Sequence, residues 1–509
     1  MGELVVLGLS MASRVHQENR RQHRGKWRIM ENEETEPHVL IFPFPAQGHV
    51  NSMLKLAELL SLSGLRITFL NIHRIHHKLT LHTNFQSRFS RFPNFQFQTI
   101  TDGLPLENRP IGNFSDLINS LKSITKPLLK QMLLSGELGP TPTCIILDGL
   151  FNFIFDVDAH PNIPVFSFRT ISACSFSAYS FVPKLIEDGQ LPIEGEEDMD
   201  RIINGVVGME NVLRCRDLPS FCRLEDPFDP RLQYGVTQTI QSFKSHALIF
   251  NTFEDLEGPI LSCLRSRCSN IYAIGPLHAH LKTKLSSEIS PTASESNNGL
   301  WEVDRSCLAW LDAQPPKSVI YVSFGSVVVI DDDQLREFWH GLVNSGKRFL
   351  WVLRPNSVAG KDGVPAELEE ETKERGYIVG WAPQEEVLAH KAIGAFLTHS
   401  GWNSTLESIV AGVPMICWPQ FADQQTNSRY VSEIWKIGLD MKDVCNRETV
   451  AKMVNDVMEN RKNELMGSVI EIAKLAITSV EEGGSSYCDL ERMIKDIRLL
   501  CQRQKETID

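Results

Sequence analysis

Several features are scarce in this chain of 509 residues, and each absence narrows the field. No apolar run approaches the roughly 18 residues of a membrane-spanning helix, so no helical span is expected. The eleven cysteines form an odd set without a CxxC pair. A secreted disulfide scaffold would look different; scattered thiols fit a reducing compartment, and a cytoplasmic location is the expectation. Positive charge is also short: 51 Lys and Arg stand against 63 Asp and Glu, a net charge of −12. That balance argues against nucleic acid or an anionic membrane as the main partner. No strand pattern is followed by GxGxxG, which disfavours a nicotinamide dehydrogenase.

What is present is ordinary for a globular chain, 42% hydrophobic and 22% charged, at a length that calls for two or three domains. Residues 1–35 read as an N-terminal extension. Leu4 to Leu9 is too short for a signal core, and the basic residues that follow (Arg14, Arg20, Arg21, Arg24, Lys26, Arg28) leave open a transit peptide, a disordered segment or a true start at Met30. His38 to Phe44 reads as a buried strand, followed by a Pro/Gly loop through Gly48 and His49. Met53, Leu54, Leu56, Ala57, Leu59 and Leu60 recur at helical spacing, Gly64 is a candidate C-cap, and Arg66 to Ile72 is the next strand. This is a βαβ unit, the building block of a parallel sheet. Further strands are expected at 143–147, ending at Asp148, then at 318–324, 349–353, 394–398 and 413–417, with helical patterns between. Two α/β lobes therefore share the chain, and the Ser-rich stretch 284–299 marks a surface loop near their boundary.

The richest segment runs from Trp381 to Gln425. A strand ends in the turn His399-Ser400-Gly401, and a helix opens near Trp402. A helix start carries unpaired N–H groups and a positive dipole end, a ready anion site. Asn403 and Ser404 add side-chain donors, and Glu407 lies one turn on along the same face. A carboxylate there suits a ribose diol, so the face reads phosphate and then diol, as in a nucleotide. Trp381 offers a flat surface for a base, and Asp423 with Gln424 offers partners for sugar hydroxyls.

With Trp381, Gln384, His399, Gly401, Trp402, Asn403, Ser404, Glu407, Pro414, Asp423 and Gln424 in place, the segment resembles the signature of the plant family 1 UDP-glycosyltransferases. The resemblance implies a GT-B fold: two Rossmann-like α/β domains facing each other across a cleft. It implies an acceptor-binding domain over 36–275, a UDP-sugar-binding domain over 276–484, and a C-terminal helix over 485–509 that packs back on the first domain. Trp381, Ala382 and Gln384 are then expected to hold the nucleoside and Glu407 the ribose. His399, Asn403, Ser404 and Ser326 should meet the diphosphate, and Trp402, Asp423 and Gln424 the sugar. The terminal Gln goes with glucose, so UDP-glucose is the expected co-substrate, with no metal or other cofactor and a monomeric enzyme.

His49 and Asp148 each sit where a predicted strand ends, in the contexts FPAQGH and CIILDG, and in the resembled family such residues form a catalytic dyad. His49 would take the acceptor proton and Asp148 would orient the ring. Where many relatives have Pro shortly after this His, the run here is Val50-Asn51-Ser52, and Ser52 reads as a helix N-cap. Weaker signals receive plainer readings. Asp156-Val157-Asp158 is a common DxD, and His73, His76 and His77 a solvated basic loop without a ligand set. The sequons at Asn113 and Asn403 are expected to be silent. FRTISACSF, MENVLRCRDLPSFCR and IGPLHAHLK resemble the plant glucosyltransferases of iridoid metabolism, the 7-deoxyloganetic acid and deoxyloganetin type. The implied function is inverting glucosyl transfer to a hydroxyl or carboxyl of a small lipophilic acceptor such as an iridoid aglycone. The alternatives are flavonoid, phenolic or other terpenoid acceptors, or a non-catalytic sugar-nucleotide sensor on the same scaffold.

Overall fold

The computed structural model describes residues 36–105, 114–152, 163–288, 299–355, 357–359 and 375–506. The extension 1–35, the DxD at Asp156 and Asp158, Asn113, and 289–298 of the Ser-rich stretch lie outside the described residues.

The first sheet contains β1 (His38–Phe42), β2 (Arg66–Ile72), β3 (Phe95–Ile100), β4 (Cys144–Asp148), β5 (Val165–Arg169), β6 (Ala247–Phe250) and β7 (Ile271–Ala273). Its spatial order is β3-β2-β1-β4-β5-β6-β7, and every pairing is parallel. The second contains β8 (Val319–Ser323), β9 (Arg348–Val352), β10 (Gly376–Val379), β11 (Ile393–Thr398), β12 (Met415–Cys417) and β13 (Gly438–Asp440), ordered β10-β9-β8-β11-β12-β13 and again all parallel. Central strands such as β1 (HVLIF) and β8 (VIYVS) are buried at every position, as parallel strands covered on both faces must be. β1 stops at Phe42, two residues before the expected Phe44, because Pro43 has no N–H to give the ladder.

Both sheets share the 3-2-1-4-5-6 order, so each has one place where the chain leaves neighbouring strands in opposite directions. In the first sheet it lies between β1 and β4, in the second between β8 and β11, and ligands bind beyond the strand C-termini at such points. The helices that matter for the site are α1 (Gln47–Leu62), α2 (Ala173–Glu187), α3 (Gln384–Leu388), α4 (Trp402–Val410), α5 (Gln424–Arg429) and the C-terminal α6 (Ser485–Glu506). Although α6 follows the second sheet, it packs against the first. The Ala273 N–H donates to Asp489 at 2.8 Å, and the Tyr272 hydroxyl to Asp496 at 2.7 Å. Leu490, Met493, Ile494 and Ile497 enter the apolar core around β1 and β2. His73, His76 and His77, read as a loop, lie in the helix His73–His82, where the His76 ring meets Phe85 edge-on at 5.4 Å.

Candidate active site

His49 does not lie in a loop. Helix α1 begins at Gln47, with Ala46 extended at its N-cap (φ −131°, ψ 147°), and His49 occupies its first turn. Ser52 is therefore inside the helix and is not its N-cap. The stretch Pro43–Ala46 completes the turn, leaving Ser52 to face the other lobe. Its hydroxyl lies 2.9 Å from both the Gly48 carbonyl and Asn403 Oδ1.

His49 Nδ1 donates to Asp148 Oδ2 at 2.7 Å, and the hydroxyl of Thr170 lies 3.0 Å from the same nitrogen. Asp148 is 1% exposed against 22% for His49, and the Leu150 N–H donates to its other oxygen at 3.0 Å. The buried guanidinium of Arg169, pulled down to about 10 by burial, lies close enough to feel the Asp148 charge and donates to the Gly149 carbonyl at 2.7 Å. Phe44 packs its ring 5.2 Å from the imidazole. With the Nδ1 proton held by Asp148, Nε2 is the nitrogen left to accept a proton.

On the second lobe, α4 has Gly401 at its N-cap, whose extended backbone provides no side-chain cap. The first-turn N–H groups of Trp402, Asn403 and Ser404 therefore form an anion site at the C-terminal edge of β11. Ser326 lies in the turn after β8, the strand beside β11. His399 is wedged between two glycines: a Cβ at Gly325 (φ +73°) or at Gly401 would meet its Nε2 at 2.5 Å. Burial, reinforced by the charge of Arg354, pushes His399 down to about 4, so the ring is neutral.

Gln384 Nε2 donates to Ser404 Oγ at 2.9 Å and to Glu407 Oε2 at 2.7 Å, while its Oε1 accepts from the Tyr321 hydroxyl at 3.2 Å. Burial pushes Glu407 up to about 7. Trp381 stacks on Trp301 with centroids 6.0 Å apart and rings inclined by 29°, beside the buried Ala382. Asp423 sits at the N-terminus of α5, pushed up to about 6 by burial, and accepts from Asn427 Nδ2 at 2.7 Å. The Gln424 side-chain oxygen takes the N–H groups of Gln420 and Phe421 at 2.8 and 3.0 Å, so only its amide nitrogen remains for a sugar hydroxyl.

Two further expectations change. The Trp402 indole is buried, with Nε1 donating to the Asn251 carbonyl of the first lobe at 2.8 Å, so only its backbone N–H faces the anion site. The Asn403 side chain bridges the lobes: Nδ2 donates to the Gly48 carbonyl at 2.8 Å and Oδ1 lies 3.4 Å from Asn251 Nδ2. In each case a polar group at the mouth of α4 satisfies the facing start of α1 or the end of β6, which single-lobe reasoning does not see. Also missed were Thr170, Trp301, Arg354 and the Lys55–Glu385 pair. The residue after β5 was a readable signal for Thr170; the others needed packing. Asp423 feels the charges of His49 and Arg169 across the cleft, so the His49–Asp148 pair and this carboxylate stand on facing walls. Among the described residues no group of three or more His, Cys, Asp or Glu is arranged to hold a metal ion.

Two doubly wound lobes meeting switch point to switch point, with a proton acceptor on one and an open helix start followed by a carboxylate on the other, define a two-lobed, nucleotide-using transferase. Comparison with known proteins narrows this class. Residues 300–472 match the family model described as UDP-glucoronosyl and UDP-glucosyl transferase. The chain is 57% identical over 473 residues to 7-deoxyloganetic acid glucosyltransferase of Catharanthus roseus, covering 91% of this chain and 98% of that one. It is 44% identical to a myricetin 3-O-rhamnoside 1,2-glucosyltransferase of Crocosmia x crocosmiiflora, covering 92% and 98%. The crystal structure of Os79 from O. sativa in complex with UDP superposes with a TM-score of 0.76 at 30% identity, covering 90% of this chain and all of that one. The chain belongs to the UDP-glycosyltransferase family, has its GT-B fold, and is a sugar-transferring enzyme that uses a UDP-sugar co-substrate.

Proposed function

We propose that the protein transfers glucose from UDP-glucose to a small lipophilic plant metabolite, an iridoid aglycone such as 7-deoxyloganetic acid, with inversion at the anomeric carbon. One observation carries the reading: the His49–Asp148 pair on the first lobe lies within electrostatic reach of Asp423 on the second. His49 Nε2 removes the acceptor proton as its oxygen attacks the anomeric carbon. Asp148 keeps the proton on Nδ1 and stabilises the imidazolium that forms. UDP departs as an anion against the N–H groups of α4, and this route draws on no metal. Trp381, Ala382 and Gln384 hold the base and nucleoside, Glu407 accepts from the ribose diol, and Ser326, His399, Asn403 and Ser404 surround the diphosphate. Asp423 and the Gln424 amide meet the sugar. The acceptor half extends over 36–275 and the donor half over 276–484, with the segment 485–509 returning to the first lobe. Eleven free thiols support a reducing, cytoplasmic compartment.

The iridoid assignment rests on the 57% identical relative. Mass spectrometry of products from UDP-glucose with 7-deoxyloganetic acid, its neutral relatives and a flavonoid panel tests it. Glucosylation of the iridoid acid supports the reading. Brisk turnover of flavonoids with none of any iridoid refutes the acceptor, and no product from any acceptor refutes the enzyme.

A further inference from the structure

The carboxylate proposed to grip the ribose, Glu407, does not stand alone. Glu385 on α3 is a second carboxylate close enough to raise the cost of ionising it. Lys55, from α1 of the opposite lobe and 330 residues away in sequence, places Nζ 2.5 Å from Glu385 Oε1. The lysine side chain is 10% exposed and Glu385 34%, so the pair lies at the inner edge of the cleft. Of the Glu407 oxygens, Oε2 takes the Gln384 amide, leaving Oε1 for the diol.

We propose that Lys55 is a positioning residue for nucleotide binding: reaching across from the first lobe, it pairs with Glu385 beside Glu407 and favours the acceptor-only form of Glu407 that meets the ribose diol. The proposal rests on the reading of Glu407 as the ribose ligand. A protonated Glu407 would present an O–H where the diol also brings donors, and a hydrogen bond would be lost. The surrounding charges favour Lys55 for this role. Burial pushes Glu407 up, Lys55 pulls it down and Glu385 pushes it up again. Burial opposes charge on both members of the pair as well. Even so, Glu385 and Glu407 hold Lys55 above the ordinary lysine value, and Lys55 holds Glu385 below the ordinary carboxylate value. His278, in the helix Leu277–Glu288, is pushed down to about 4 by burial, with Lys55 and Lys282 adding to the effect, and is neutral near pH 7. Arg88 faces the same cluster but is paired with the buried Glu58. Helix α1 carries both Lys55 and His49, so one element presents both side chains to the second lobe.

The test compares UDP with 2′-deoxy-UDP by isothermal titration calorimetry across neutral pH, since the ratio of the two affinities cancels titration of the diphosphate itself. The native protein should prefer UDP, with the preference falling as pH drops through about 7, the value at which Glu407 gains its proton. Lys55→Met should displace that fall upward by about one pH unit, cutting the preference near neutrality by up to roughly tenfold. Lys55→Arg should restore the native profile, and Glu385→Gln should displace it downward. Opposite displacements from two single substitutions cannot arise from a general loss of folded protein. A Lys55→Met profile that overlays the native one, or one that moves the same way as Glu385→Gln, overturns the proposal. A native protein with no preference between the two nucleotides overturns the ribose reading beneath it.

Discussion

His49 is a surface-reachable imidazole anchored at Nδ1 by a buried carboxylate, and that asymmetry suits it to accept a proton at Nε2. His49→Ala should lower kcat by about 10²- to 10⁴-fold while leaving the affinity for UDP near native, measured by product formation and by calorimetry. Glu407 allows a second expectation, on stability. Its folded-state value of about 7 lies above the unfolded carboxylate range, so its contribution is fully present below about pH 4 and is lost as pH rises through 7. Glu407→Gln removes that loss. Its melting temperature should gain on the native protein between pH 5 and pH 8, by about 1–2 °C for a half-buried group costing about 1 kcal/mol in a chain of this length. UDP binding should weaken in the same variant. At this scale the sequence was informative, because strand ends and the helix start fix where His49, Asp148, Asn403 and Glu407 must lie. It pointed the Asn403 and Trp402 side chains at the nucleotide sugar, whereas both spend them on Gly48 and Asn251 of the other lobe.

The helices show where local rules sufficed and where they did not. α4 starts at Trp402, as expected from a strand, a tight turn and a glycine. α1 starts at Gln47, several residues before the Ser that propensity would choose, because Pro43 ends β1 early and the chain turns within four residues. That shift moves Ser52 from a capping role to a contact with Asn403, 351 residues away. α6 makes the same point with apolar side chains. Its charged composition left its docking undecided, yet Leu490, Met493, Ile494 and Ile497 are all buried against the first lobe. Ile494→Ala should cost about 2–5 kcal/mol by thermal or urea unfolding, with little change in KM for either substrate if the folded fraction is accounted for.

At the scale of the whole molecule, the two lobes are joined by a shared apolar cluster that brings Phe176 and Phe250 together with Trp402 and Ile409, and by polar contacts such as Thr426 to the Asp217 carbonyl at 2.8 Å. A nucleotide seated in that cleft should stabilise the folded chain by mass action, by about 2.7 kcal/mol at a hundredfold excess over Kd, read as a higher melting temperature. Because departing charge is proposed to fall on backbone N–H groups, chelation with EDTA should leave the initial rate within experimental error, and a collapse of rate that Mg²⁺ restores would count against it. Sequence by itself determined the two parallel-sheet lobes, the helix start at Trp402 and the strand-end positions of His49 and Asp148, since each follows from patterns within some forty residues or at a strand terminus. Only the tertiary structure decided which polar groups of one lobe complete the other, as with Ser52 and Asn403 or Lys55 and Glu385. Those pairings depend on how the surfaces of the two lobes meet, and they are selected because a polar group buried there without its partner, hundreds of residues away, would cost free energy.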